Sequence, residues 1–105
     1  MYLILNGKSR LEIKEYKSFY DKLLGLMFKK KKINYGIRLN NCNSIHTFFM
    51  FQNIDVVITD KNNNTLKKIK DLKPNKVILP VKNGYYVYEL PVNTLNKIDN
   101  FTIIK

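Results

Sequence analysis

The chain's single cysteine and single histidine, Cys42 and His46, stand four residues apart in the segment CNSIHTFFMF. A thiolate nucleophile needs a base within hydrogen-bonding reach and usually a third group that orients the base. Residues four apart on a strand lie about 13 Å from each other, whereas in a turn their side chains can meet. The pair therefore predicts either a small hydrolase or a structural role, with Cys42 as a small buried residue and His46 as a hydrogen-bonded strand residue.

Two acidic residues, Asp55 and Glu89, are set inside the apolar segments NIDVVI and VYELP. A carboxylate in such a place is solvated, paired, or buried with a raised pKa. The structural interpretation is that each accepts backbone N–H bonds or meets a Lys or Arg. The functional one places both with His46 and Cys42 around a polar spot in an apolar pocket, for a small ligand or for acid–base hydrolysis. One Cys and one His fall short of the usual zinc sets, so neither metal nor cofactor is predicted.

Four consecutive lysines, Lys29, Lys30, Lys31 and Lys32, belong to a chain with a net charge of +11. Such a run is typical of a solvated loop, but it also fits a phosphate, an acidic lipid or a nucleic acid. Seventeen of the nineteen basic residues are Lys and two are Arg. Because Arg forms the paired bonds that read bases and phosphates, and Lys supplies only a hydrated point charge, nucleic-acid binding is possible but not favoured.

The elements that must position these residues belong to one domain, predicted to span residues 1–105. A chain of this length with 45% hydrophobic residues is long enough to bury a core without disulfides. No stretch approaches the roughly 18 apolar residues of a membrane span. We therefore expect a soluble, cytoplasmic, monomeric protein.

Short alternating segments predict a mainly β fold. YLIL and LEIKEY read as two strands joined by a turn at Asn6-Gly7, and NIDVVITD, TLKKIKDL, NKVILPV, GYYVYELP and FTIIK read as further strands. SIHTFFMF is apolar on both alternating faces and predicts a central, covered strand. SFYDKLLGLMFKK, beginning at Ser18, predicts one helix, and VNTLNKID a short helical turn starting at Asn93. Together these elements favour a jelly-roll-like β-sandwich or barrel with one N-terminal helix packed against it.

Four motifs in order, Gly25–Phe28, Thr47–Met50, Asn53–Val57 and Tyr88–Pro91, give the chain a family resemblance. It resembles the DUF192 family, also called UPF0127, of small uncharacterised bacterial and archaeal proteins. The resemblance implies a mainly β, jelly-roll-like sandwich with a helix against it, and it brings no established activity.

No residue set here specifies a reaction, so the favoured hypothesis is a non-catalytic binding or accessory module. Its predicted surface is the region around His46, Asp55 and Glu89, and its partner a small ligand or a protein. The alternatives are a nucleic-acid-binding module that uses the four lysines and a small hydrolase that uses Cys42 and His46.

Overall fold

The structure is a computed structural model that describes residues 1–18 and 25–105. Within these ranges the chain forms nine strands and two short 3-10 turns, at Asn6–Lys8 and Thr94–Lys97. The strands are β1 (Tyr2–Ile4), β2 (Arg10–Tyr16), β3 (Gly36–Asn40), β4 (Ile45–His46), β5 (Ile54–Thr59), β6 (Thr65–Leu72), β7 (Val77–Ile78), β8 (Tyr86–Pro91) and β9 (Ile103–Ile104).

Seven of these strands form one sheet in the order β6-β5-β8-β3-β2-β1-β9, curled into a half-barrel. Neighbours in the sheet are antiparallel except β2 and β3, which run parallel. The short strands β4 and β7 make a separate antiparallel pair. The mainly β class predicted from the sequence is therefore confirmed, with a curled single sheet as its main element.

The central strands β5 and β8 separate two apolar clusters. All six residues of β5 are buried, and alternate residues of a strand point to opposite faces. The first cluster contains Leu26, Ile33, Ile37, Leu39, Ile45, Met50, Ile54, Val56, Ile58, Leu72 and Val87. The second contains Leu3, Ile13, Val57, Tyr88, Leu90 and Leu95. The sheet is thus covered on both sides at its centre, where its longest apolar runs lie.

The predicted N-terminal helix falls partly on residues 19–24, which lie outside the described residues. The described part of that segment, Gly25–Phe28, is a turn, so the helix does not extend through it as predicted. Gly25 and Phe28 both have a positive φ there, which a right-handed helix does not accommodate. In the ranges that are described, no helix is long and apolar enough to cross a bilayer.

The prediction that SIHTFFMF is a central strand is wrong. Only Ile45–His46 is extended, paired with Val77–Ile78, and the chain then turns at Phe48 and Phe49. Buried Thr47 fixes this turn, because its hydroxyl donates to the Lys73 carbonyl (2.7 Å) and accepts the N–H of Lys76 (2.8 Å). The apolar residues of the segment are divided between anchors in the core and phenyl rings in solvent.

Candidate functional site

Asp55 is 1% exposed and fully used by the fold. Its Oδ1 accepts the backbone N–H of Asp71 in β6 at 2.9 Å, and its Oδ2 accepts the N–H of Leu95 at 2.8 Å. One carboxylate therefore joins β5 to the neighbouring strand and to the 3-10 turn that follows β8. This geometry matches the structural interpretation of Asp55, an acceptor of backbone N–H bonds.

Glu89 lies on the other face of the sheet. Its register partners are Ile37 in β3 and Val56 in β5, both members of the first apolar cluster. Burial raises the pKa of this carboxyl to about 7. Its Oε1 has no hydrogen-bond partner among the described residues. Because Leu90, not Glu89, faces the Asp55 position in the register, the two acids do not line one shared polar spot.

Cys42 and His46 each bond to the backbone of their own loop. The Cys42 thiol donates to the carbonyl of Ser44 at 3.0 Å, and His46 Nδ1 accepts the N–H of Phe48 at 3.2 Å. The imidazole also stacks on the Phe48 ring, with centroids 5.2 Å apart. In the part of the chain that the structure describes, no group of three His, Cys, Asp or Glu side chains is arranged to hold a metal ion. The predicted ligand-binding set of Cys42, His46, Asp55 and Glu89 is thus distributed over two faces of the sheet and a loop.

Arg38, in the middle of β3, is committed to the fold. Its guanidinium forms an ion pair with Glu15 and lies 4.1 Å from the centroid of the Tyr86 ring. Asn40 also donates to the Glu15 carboxylate at 2.7 Å, and the hydrogen bonds from Asn40 and Arg38 lower the pKa of that carboxyl. Arg38 is 9% exposed, so its charge is used inside the protein by Glu15 and Tyr86.

Three phenylalanines and the four lysines form an exposed surface, here called the Phe–Lys patch: Phe28, Phe49, Phe51 and Lys29–Lys32. The three rings are 58%, 58% and 54% exposed. Phe28 stacks on Phe49 with centroids 5.6 Å apart, and Phe51 lies 6.5 Å from Phe28. All four lysines are exposed. We call the three phenyl rings of Phe28, Phe49 and Phe51 the apolar knob. The patch therefore joins this apolar knob to a run of four positive charges.

Two neighbouring loops hold the knob rigidly. Leu26 and Met50 are buried in the first apolar cluster and anchor one loop each. Between them the N–H of Phe28 donates to the carbonyl of Phe49 at 2.8 Å. Both phenylalanines have left-handed backbones, with φ of 65° and 63°. A bulky residue in this region costs about 1–2 kcal/mol, so the fold holds both rings outward against a local preference.

Gln52 fixes the lysine loop to the phenylalanine loop with its side-chain amide. The Nε2 group donates to the carbonyls of Lys29 (3.2 Å) and Lys31 (2.8 Å), and Oε1 accepts the N–H of Ile33 (3.0 Å). Every polar atom of this amide is therefore used to shape the backbone that carries the lysines.

The patch is flanked by two grooves. One, of about 470 Å³, runs along Phe28, the lysines and Tyr35. The other, of about 480 Å³, lies between Lys30, Lys32 and Phe51 on one side and Asp71 and Asn93 on the other. The four lysines predicted as a possible binding site thus lie at a concave, positively charged surface.

Sequence reasoning missed the three exposed phenylalanines and Gln52. An aromatic run with apolar residues on both alternating faces predicts burial, and nothing local to Phe28 or Phe49 indicates a left-handed backbone. The available signal was the lysine run directly after Phe28, since an aromatic residue beside four lysines lies at a solvated turn.

Replacing Asp55 by Ala should cost about 3–5 kcal/mol of unfolding free energy, because the N–H groups of Asp71 and Leu95 both lose the buried carboxylate that accepts them. Asp99→Ala, at an exposed position, is the matched control and should stay within about 0.5 kcal/mol. Urea unfolding at pH 7 measures both. A loss below about 1 kcal/mol for Asp55→Ala would contradict the anchoring role of this carboxylate.

Glu89 should make the protein less stable as the pH rises. The folded-state pKa of about 7 exceeds the usual 4.5, so the folded state holds the proton more tightly than the unfolded state. Stability is then fully present below about pH 4.5 and is lost as the pH rises through 7. The Glu89→Gln variant has no carboxyl to ionise at this position. Its unfolding free energy relative to that of wild type should therefore rise by about 3 kcal/mol between pH 4.5 and pH 8.

Chemical denaturation across that pH range tests the Glu89 prediction. Glu12→Gln removes one charge from an exposed position of β2 and serves as the control. A difference between wild type and Glu89→Gln that does not change with pH would show that the carboxyl ionises normally.

No model of a known protein family matches the chain. A UPF0127 protein of Pyrococcus horikoshii is 35% identical over 99 residues, covering 85% of this chain and 84% of that protein. A UPF0127 protein of Thermococcus sibiricus is 30% identical over 90 residues, covering 78% of this chain and 56% of that longer relative.

Two solved structures share the fold. A proposed transcription regulator of Sinorhizobium meliloti superposes with a TM-score of 0.74 at 14% identity, covering 90% of this chain and 81% of that one. A protein of unknown function from Novosphingobium aromaticivorans gives 0.72 at 9% identity, covering 87% and 71%. At sequence identities this low, the two superpositions show a shared fold and nothing more. The archaeal relatives go further: with 35% identity across most of both sequences, the chain belongs to the UPF0127 family.

Proposed function

We propose that the protein is a non-catalytic binding module that binds a polyanionic partner through the Phe–Lys patch. The observation that carries this proposal is the contact of three phenyl rings, each more than half exposed, beside four consecutive exposed lysines.

The exposure of the rings supports a binding role. Fully burying one phenylalanine side chain stabilises a fold by about 1.5–3 kcal/mol, and single exposed apolar residues are common. Three that meet at Phe28 form a patch of the kind that marks interaction sites. The left-handed backbones of Phe28 and Phe49 add a local cost, which a binding function explains and packing does not.

The charge supports a polyanion as partner. The ion pair found in the described residues joins Arg38 to Glu15 and includes none of Lys29–Lys32. Lys29–Lys32 therefore supply four of the positive charges in a chain whose net charge is +11. The groove along Phe28, Lys29–Lys32 and Tyr35 is lined by charges of one sign. Such a concave surface raises the local concentration of an oppositely charged partner and speeds its association.

The Phe–Lys patch replaces the region of His46, Asp55 and Glu89 as the proposed binding surface. Asp55 is saturated by backbone donors and Glu89 faces the opposite apolar cluster, so neither supplies a shared ligand pocket. The hydrolase built on Cys42 and His46, the cytoplasmic location and the monomeric state stay predictions from the sequence.

Heparin binding tests the proposal with two variants of equal charge. Replacing Lys29–Lys32 by Ala should raise the Kd for heparin at 0.1 M NaCl at least about tenfold, because these lysines lie together on the patch. Replacing Lys67, Lys68, Lys70 and Lys73 by Ala removes the same charge from exposed positions in and after β6, and should change the Kd less than about threefold. Isothermal titration calorimetry measures both.

Gln52→Ala adds a variant that keeps every charge. It removes three hydrogen bonds that shape the lysine loop, so heparin should bind more weakly than to wild type although the net charge is unchanged. Equal losses in the two lysine variants would contradict the proposal, because binding would then follow total charge and not the patch.

A further inference from the structure

We infer that the polyanion is the surface of an anionic lipid bilayer, with Phe28, Phe49 and Phe51 inserted among the headgroups and Lys29–Lys32 bound to lipid phosphates. This inference rests on the proposed function and adds the identity of the partner.

The apolar knob fits the boundary between headgroups and acyl chains. A phenyl ring has no polar atom, and these rings contact one another, so they present one continuous apolar surface. Segments that lie in the membrane interface combine aromatic or aliphatic side chains on one side with lysines or arginines beside them. The Phe–Lys patch has this composition within a few residues, because Phe28 directly precedes the lysines.

The lysines suit binding to lipid phosphates, because this binding does not require the recognition of individual nucleic-acid bases. Their long aliphatic stems reach along apolar surface while the ammonium groups stay at the headgroups. Recognition of bases usually relies on arginine, asparagine or glutamine side chains that present paired donors. Here Arg38 is buried in its pair with Glu15, and the side-chain amide of Gln52 is bonded to the backbone of Lys29, Lys31 and Ile33.

The contact between the rings excludes one mode of nucleic-acid binding, a base held between two rings. Stacked bases lie about 3.4 Å apart, so a base held between two rings needs them about 7 Å apart. Phe28 and Phe49 stack on each other at 5.6 Å, which leaves no room for a base between them. Because the three rings contact one another through Phe28, they can insert into a bilayer together as one apolar surface.

The patch is also fixed before it binds. The hydrogen bond between Phe28 and Phe49, the Gln52 bridge and the anchors Leu26 and Met50 hold the knob in its outward position. Binding therefore requires little ordering of the backbone, which favours affinity.

Tryptophan fluorescence gives a direct test, because the chain contains no Trp. The Phe51→Trp variant places one fluorophore in the knob at a position without left-handed backbone. It is titrated with vesicles of phosphatidylcholine alone and with vesicles containing 30 mol% phosphatidylglycerol. With the anionic vesicles we expect a blue shift of the emission and quenching by lipids brominated near the glycerol end of the acyl chain. Neutral vesicles should bind at least tenfold more weakly.

Two double variants in the Phe51→Trp background separate insertion from charge attraction. Phe28→Ser with Phe49→Ser should lower binding to anionic vesicles at least tenfold. Tyr2→Ser with Leu79→Ser removes two exposed apolar side chains elsewhere and should leave binding within twofold.

Three results would overturn the inference. The first is an absence of vesicle binding while heparin still depends on Lys29–Lys32, which keeps the proposed function and rejects the bilayer. The second is vesicle binding with no blue shift and no loss in the double Phe variant, which shows adsorption by charge alone. The third is tighter, Phe-dependent binding of a single-stranded dT20 oligonucleotide than of anionic vesicles, which assigns the patch to nucleic acid.

Discussion

The pairing of β5 with β8 is the constraint on which the rest of the structure depends. Both strands lie inside the curled sheet with apolar clusters on their two faces. A polar side chain on them is therefore removed from water and depends on the protein for hydrogen-bond partners. Asp55 finds two backbone donors, from Asp71 and Leu95, and ties three elements together. Glu89, one register position away, points to the other face, where burial raises its pKa to about 7. The same strand pair thus uses one acid as an anchor and makes the other sensitive to pH.

The Phe–Lys patch follows from how the loops attach to this core. Leu26 and Met50 are buried in the first apolar cluster. The phenyl rings of Phe28, two residues after Leu26, and of Phe49 and Phe51, on either side of Met50, are exposed. Thr47 fixes the start of one loop on the 73–76 turn, and Gln52 fixes its end on the lysine loop. The core therefore carries the patch as a preformed surface. An exposed apolar knob on a rigid base has little value for folding, which is why we assign it to binding.

The sequence predicts β5 and β8, inside the sheet, well, because both show the apolar runs that burial requires. The exposed edge strand β6 is predicted only from its place in a hairpin with β5. The sequence also predicts the β1–β2 hairpin at Gly7 and the helical turn after Asn93, where residues tolerant of positive φ stand. It does not predict the partners of Asp55, which are 16 and 40 residues away, nor the difference between Asp55 and Glu89, since both acids have similar local surroundings. It fails at SIHTFFMF, because a run of aromatic residues looks the same whether its rings enter the core or solvent.

The central claim is that a polyanion binds at the Phe–Lys patch and does not simply follow the total charge of the protein. A heteronuclear NMR titration of the 15N-labelled protein with a heparin hexasaccharide tests it most directly, because every backbone amide reports separately. We expect the largest shift changes at residues 28–35 and 48–53, with small changes along β6 despite its lysines. Changes spread evenly over all lysine-bearing segments, or centred on Cys42 and His46, would contradict it.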